Sequence, residues 1–108
     1  MKGPTRRFAR KSLQAELRGR DAEGTGVLIF EATDLSAGGT FLRSDLLLEE
    51  GETLSLELQV PGVERTLAAQ ARIVWVRRFP SDGQPAGMGV EFLAMSEEDR
   101  RVLREFLG

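Results

Sequence analysis

From Leu54 to Val60 the chain alternates: Leu54, Leu56, Leu58 and Val60 are apolar, and Ser55, Glu57 and Gln59 between them are polar. A period of two belongs to a strand with one buried face. The same period recurs in Leu67, Ala69, Ala71, Ile73 and Trp75, with Gln70 and Arg72 on the opposite parity. It is present again in Leu13, Ala15 and Leu17, and in Met88, Val90 and Phe92. Two further runs, Val27 to Thr33 and Thr40 to Arg43, read as strands, with Asp34 to Gly39 as a break between them. Turn residues separate these segments: Gly19 to Gly26, a loop over 44–52, Pro61-Gly62, and a longer stretch from Arg77 to Pro85.

At Ser96 the period changes. Ser96-Glu97-Glu98-Asp99 has the form of a helix start, with a capping hydroxyl and three acids at the positive end of the helix. Val102, Leu103, Phe106 and Leu107 follow at helical spacing. The predicted fold is therefore mainly β: a six-stranded antiparallel barrel of Greek-key or split form with a C-terminal α-helix over 96–107. It forms one domain over residues 12–108. Residues 1–11 contain Gly3 and Pro4 and no apolar period, and are expected to form a flexible basic arm.

Composition narrows the function. The 108 residues include no cysteine and no histidine. Disulfides, thiolate metal sites, thiol nucleophiles, Ser-His triads and most zinc sites are thereby excluded. A Ser–Lys dyad would have to use Lys2 or Lys11, and the carboxylates Glu49, Glu50 and Glu97 to Asp99 read as solvated loop and helix-end charges. The chain is not expected to be an enzyme, nor to carry a cofactor. No apolar run is long enough to insert in a membrane, and no secretory signal is evident, so a cytoplasmic location is expected.

Charge is unevenly placed. Within residues 1–20, seven cations stand against Glu16 for a net +6, so the other 88 residues sum to −8 within the total of −2. A basic head on an acidic body is poorly suited to tracking a nucleic-acid polymer and well suited to capturing a small anion.

Two motifs supply the chemistry for such capture. Arg6-Arg7-Phe8-Ala9-Arg10 reads R-x-x-x-R, and Asp34-Leu35-Ser36-Ala37-Gly38-Gly39 reads D-x-S-x-x-G. Guanidinium forks take phosphate oxygens or the O6/N7 edge of guanine. A carboxylate and a hydroxyl take the donor edge of the base. Asp34 and Ser36 share strand parity, and the Gly38-Gly39 pair leaves that side unblocked. The same D-x-S-x-x-G residues also suit a turn in which Asp and Ser bond their own backbone.

With these motifs, Thr40-Phe41 after the second of them, and Gly87-Met88-Gly89-Val90-Glu91-Phe92 near the end, the chain resembles the PilZ domain, a bacterial receptor for cyclic di-GMP. The resemblance runs from Arg6 to Leu107. It implies a six-stranded antiparallel barrel and cyclic di-GMP as the ligand. It implies that Arg6 and Arg10 bind guanine edges and phosphates, that Asp34 and Ser36 hydrogen-bond guanine, and that Gly39 permits close contact. Arg7 is an accessory charge and Gly38 a turn requirement.

The expected function is a receptor that changes conformation on binding and signals to an unidentified protein target, as a monomer or weak homodimer. The alternative is an interaction adaptor of the same fold that binds no nucleotide. A barrel for single-stranded nucleic acid would need exposed stacking aromatics. Trp75 shares the parity of Ile73 and is expected in the core. Arg77 and Arg78 are expected to be solvated, and Phe106 and Leu107 to pack on the barrel.

Overall fold

Each alternating segment forms a strand, and the six strands close on one another. The computed structural model describes residues 10–21 and 27–108, with side chains for 15–20 and 27–108. The strands are β1 (Arg10–Asp21), β2 (Leu28–Ser36), β3 (Gly39–Arg43), β4 (Thr53–Gln59), β5 (Leu67–Arg77) and β6 (Gly87–Met95), followed by helix α1 (Glu97–Leu107). They pair in the order β1-β2-β3-β6-β5-β4, and β4 returns to β1 to close the barrel. Every pairing is antiparallel. Closure leaves no strand edge open to another chain.

The inward parity fills the barrel. Leu17, Phe30, Leu42, Leu56, Leu58, Leu67, Ile73 and Met88 belong to one buried cluster. The expected core positions on β4 and β5 are buried up to Ile73. Leu47 and Leu48, in the connection from β3 to β4, pack on the same cluster. A barrel of this size packed with side chains has no room inside for a ligand, so binding has to use its outer surface.

The strands differ from the sequence reading in two places. The first lies at the start and end of strands. β1 begins at Arg10, so Arg10 and Lys11 are strand residues, whereas the expected arm extended through residue 11. Residues 1–9 of that arm lie outside the described residues. The expected break from Asp34 to Gly39 shrinks to Ala37 and Gly38, because Asp34 to Ser36 complete β2 and Gly39 opens β3.

The second difference is one of parity. Ala32 pairs with Leu42 and Asp34 with Phe41, leaving Thr33 as an extra residue in β2. Ile73 pairs with Val90 and Trp75 with Gly89, leaving Val74 extra in β5. Each extra residue is a β-bulge, and a bulge reverses which parity faces the core. Leu35 therefore faces inward and is buried, although it is out of step with Phe30 and Ala32. Trp75, expected in the core by its alternation with Ile73, is instead 41% exposed. The alternation is correct as far as Ile73, and Val74 breaks it.

Helix α1 covers one end of the barrel. Ser96 caps it, accepting a hydrogen bond from the Asp99 amide at 3.0 Å. Leu103 is fully buried, and Val102, Phe106 and Leu107 pack on the core, as their spacing predicts. Arg101 bridges Glu98 and Glu105 on the exposed face.

Asp99, expected to be a solvated helix-end charge, is buried. Its carboxylate accepts from Arg65 Nε at 2.6 Å and from the Ala68 amide at 3.1 Å. Ala68 lies one residue beyond the last β5–β6 pair, Ala69 with Met95, so the carboxylate takes over from the ended ladder. Burial acts most strongly on this group and would raise its pKa. The Arg65 guanidinium, the Ala68 amide and the Ser96 hydroxyl together outweigh burial and leave it below the ordinary 3.8.

A Cβ on Gly39 would lie 2.1 Å from the backbone oxygen of Val90, and a backbone atom cannot swing aside. Gly39→Ala should therefore cost about 2 kcal/mol in urea unfolding, with or without any ligand. For Asp99, a lowered folded pKa means that its contribution is present above pH 3.8 and is lost as pH falls through the folded value. Asp99→Asn should be about 1–2 kcal/mol less stable than wild type at neutral pH. That gap should close in acid, and a gap that persists unchanged to the lowest pH would refute the ionic role.

Candidate functional site

The Thr33 and Val74 bulges turn residues of two strands onto one outer face. Past Thr33, Asp34 and Ser36 leave the core-facing parity of β2; past Val74, Trp75 and Arg77 leave that of β5. A cleft of about 350 Å³ is lined there by Asp34, Ser36, Gly39, Phe41, Trp75 and Arg77, among others.

The floor of the cleft is aromatic. Phe41 is buried yet lies apart from the interior cluster. It pairs in register with Gly89 on one side, and Trp75 pairs with Gly89 on the other. Glycine is required between them: a Cβ on Gly89 would lie 2.1 Å from the indole nitrogen of Trp75. Over that gap the two rings stack, with centroids 5.3 Å apart and planes 23° apart. The Arg77 guanidinium sits 5.4 Å from the Phe41 centroid and 5.1 Å from that of Trp75. Its Nη1 donates to the Pro85 carbonyl oxygen at 2.9 Å.

The D-x-S-x-x-G residues sit at the turn between β2 and β3. Asp34 Oδ1 accepts from the Phe41 amide at 3.0 Å, and its backbone oxygen accepts from the Thr40 hydroxyl. The Ser36 hydroxyl accepts from the Gly38 and Gly39 amides and donates to the Gly39 carbonyl, each at 3.2 Å. One donation and two acceptances fill the capacity of a hydroxyl. Ser36 thus builds the turn, the role that Asp and Ser play in such motifs. The Gly38 carbonyl accepts from the Phe92 amide at 2.9 Å, fixing that turn to β6. Neither Gly38 nor Gly39 takes a positive φ. Gly39 is glycine because β6 passes too close for a Cβ.

Of the expected ligand residues, Asp34, Ser36 and Gly39 come together in this cleft. Arg10 occupies the register position across from Ser36, and Ser12 the one across from Asp34. Arg6 and Arg7 lie outside the described residues. Sequence reading passed over Phe41, assigned Trp75 to the core, and placed Arg77 in solvent. The signals that could have found them are the glycines at positions 87 and 89, which have no turn to make within a strand and where a Cβ would meet Phe41 and Trp75 respectively. Arg78 does match its expectation: it is exposed and pairs with Glu49.

Chemically the cleft presents several kinds of group. It offers ring faces, a guanidinium, the carboxylates of Asp34 and Glu91, and hydroxyls, with Glu91 already paired to Arg72 at 2.8 Å. Among the described residues no group of three or more carboxylate, histidine or cysteine side chains is placed to hold a metal ion. No described helix is long and apolar enough to cross a membrane.

Solved structures share the whole architecture. The Bacillus subtilis inhibitor of motility (MotI/DgrA) matches with a TM-score of 0.81 at 19% identity, over 97% of this chain and 50% of that one. The PilZ domain of YcgR from Escherichia coli, solved with c-di-GMP, matches at 0.71 and 21%, over 96% and 89%. The K. pneumonia MrkH–c-di-GMP complex matches at 0.76 and 19%, over 97% and 51%. The chain spans about half the length of MotI/DgrA and MrkH, and at these identities the likeness is one of fold. No curated protein matches the sequence. The family model described as the PilZ domain matches residues 4–108, and with the closed barrel and the motif order it establishes that the chain belongs to the PilZ family.

Proposed function

We propose that this chain is a non-catalytic receptor for cyclic di-GMP. The observation that carries the reading is the outward cleft in which Asp34, Ser36 and Gly39 meet, with Arg10 across from Ser36 in the β1–β2 register. Membership of the PilZ family supports it, as do neighbours of the same fold that were solved with c-di-GMP.

In this reading Arg6 and Arg10 take phosphate oxygens and the O6/N7 edge of guanine. Asp34 accepts from the donor edge of the base. Ser36 exchanges its long donation to the Gly39 carbonyl for one to the ligand. Gly39, held against β6, presents its backbone at the cleft, Gly38 shapes that turn, and Arg7 adds charge. The exposed face of Trp75 offers a guanine a surface to stack on. The arginine-bearing segment closes over the ligand, and the altered surface is presented to a protein target. The receptor acts in the cytoplasm as a monomer or weak homodimer.

Calorimetric titration of the purified chain with cyclic di-GMP tests this. Wild type should show saturable binding, and both Arg10→Ala and Asp34→Ala should weaken it at least tenfold, since each removes a charge-assisted hydrogen bond. Absence of heat at high micromolar ligand would reduce the two motifs to a basic segment and a turn, and would leave a PilZ-fold adaptor that binds no nucleotide.

A further inference from the structure

Arg77 has no role in either motif, yet its placement is unusual among the arginines of the barrel. Five described arginines hold a carboxylate within 4.0 Å: Arg43, Arg65, Arg72, Arg78 and Arg101. Arg18, Arg20, Arg100 and Arg104, like Arg77, pair with no described carboxylate, but none of these four lines the cleft. Two of the paired five, Arg72 and Arg78, flank Arg77 in sequence. Arg77 is half-buried in the cleft, close to two aromatic rings and tied by one N–H to the Pro85 carbonyl.

A guanidinium carries five N–H donors, and ring contact occupies its faces rather than its edge. The Pro85 bond therefore leaves donors unspent on a side chain whose freedom is already reduced. A charge held in this way binds an anion with little further ordering cost. No other described arginine or lysine lines the cleft, while two carboxylates do, and Arg72 already neutralises Glu91. A ligand bearing phosphodiesters would need a cation on this β5 wall, across the cleft from β2, beside which Arg10 stands in register.

We propose that Arg77 is a phosphate-binding residue of this cleft, donating from β5 to a phosphodiester oxygen of the dinucleotide. The inference rests on the reading of the cleft as a cyclic di-GMP site, and it adds a residue from outside both motifs. The Arg77 fork makes lysine an incomplete substitute.

The test is titration of cyclic di-GMP into wild type, Arg77→Ala and Arg77→Lys, with the phosphorus NMR spectrum of each bound state and the thermal midpoint of each free protein. Expected are at least a tenfold loss of affinity in Arg77→Ala, partial recovery in Arg77→Lys, and a bound phosphorus resonance displaced from its wild-type position in both. Equal affinity in wild type and Arg77→Ala would overturn this assignment alone. So would weakened binding with an unmoved phosphorus resonance, which would place Arg77 on the base edge or in the packing of the rings. A wild type that takes up no cyclic di-GMP would overturn this assignment and the receptor reading together.

Discussion

A small closed barrel packed solid with side chains can bind a ligand only on its outer surface, and the outward positions of a regular strand are scattered singly among its neighbours. The β-bulge resolves this. One extra residue in β2 and another in β5 change the parity of the residues beyond them, so that strands which bury their apolar positions at one end display functional groups at the other. Asp34, Ser36, Trp75 and Arg77 all share an outer face because of Thr33 and Val74.

Glycine at two positions then gives that face its depth. Gly89 lets Trp75 cross its neighbouring strand and stack on Phe41, and Gly39 lets β3 lie against the Val90 carbonyl. In both cases the requirement is space for a neighbour, with no need for an unusual backbone angle. The cleft is thus continuous with the packing of the barrel, and its side chains are held by contacts that also hold the fold. Ser36 shows the same economy: its hydroxyl closes the β2–β3 turn through three bonds and sits at the edge of the cleft while doing so.

Most of the fold was legible in the sequence because burial on one face forces a period of two, and the capped helix after Ser96 forces a period of 3.6. The motif residues Asp34, Ser36 and Gly39 were legible as a group because they are close in the chain. The aromatic floor was not, for a physical reason. Alternation identifies the inward side only while the strand stays regular, and Val74 looks like any strand residue. Reading through it placed Trp75 inside, while Arg77, at the start of a loop, read as a solvated charge. Asp99 was misread for a different cause: its partners Arg65 and Ala68 lie more than thirty residues away, and local sequence shows only three acids at a helix start.

The most direct test of this account is to map where cyclic di-GMP binds, by amide and indole NMR shifts during titration. A larger groove shares Gln84 and Pro85 of the β5–β6 loop with the cleft but is lined also by Glu16, Ile29, Arg43 and Asp82, and those four residues serve as an internal control. The account predicts shifts at Asp34 to Phe41, at the Trp75 indole N–H and at Gly89, with Glu16, Ile29 and Arg43 unmoved. Shifts centred on the larger groove, or none on the Trp75 indole, would contradict the claim that the two bulges build the binding face.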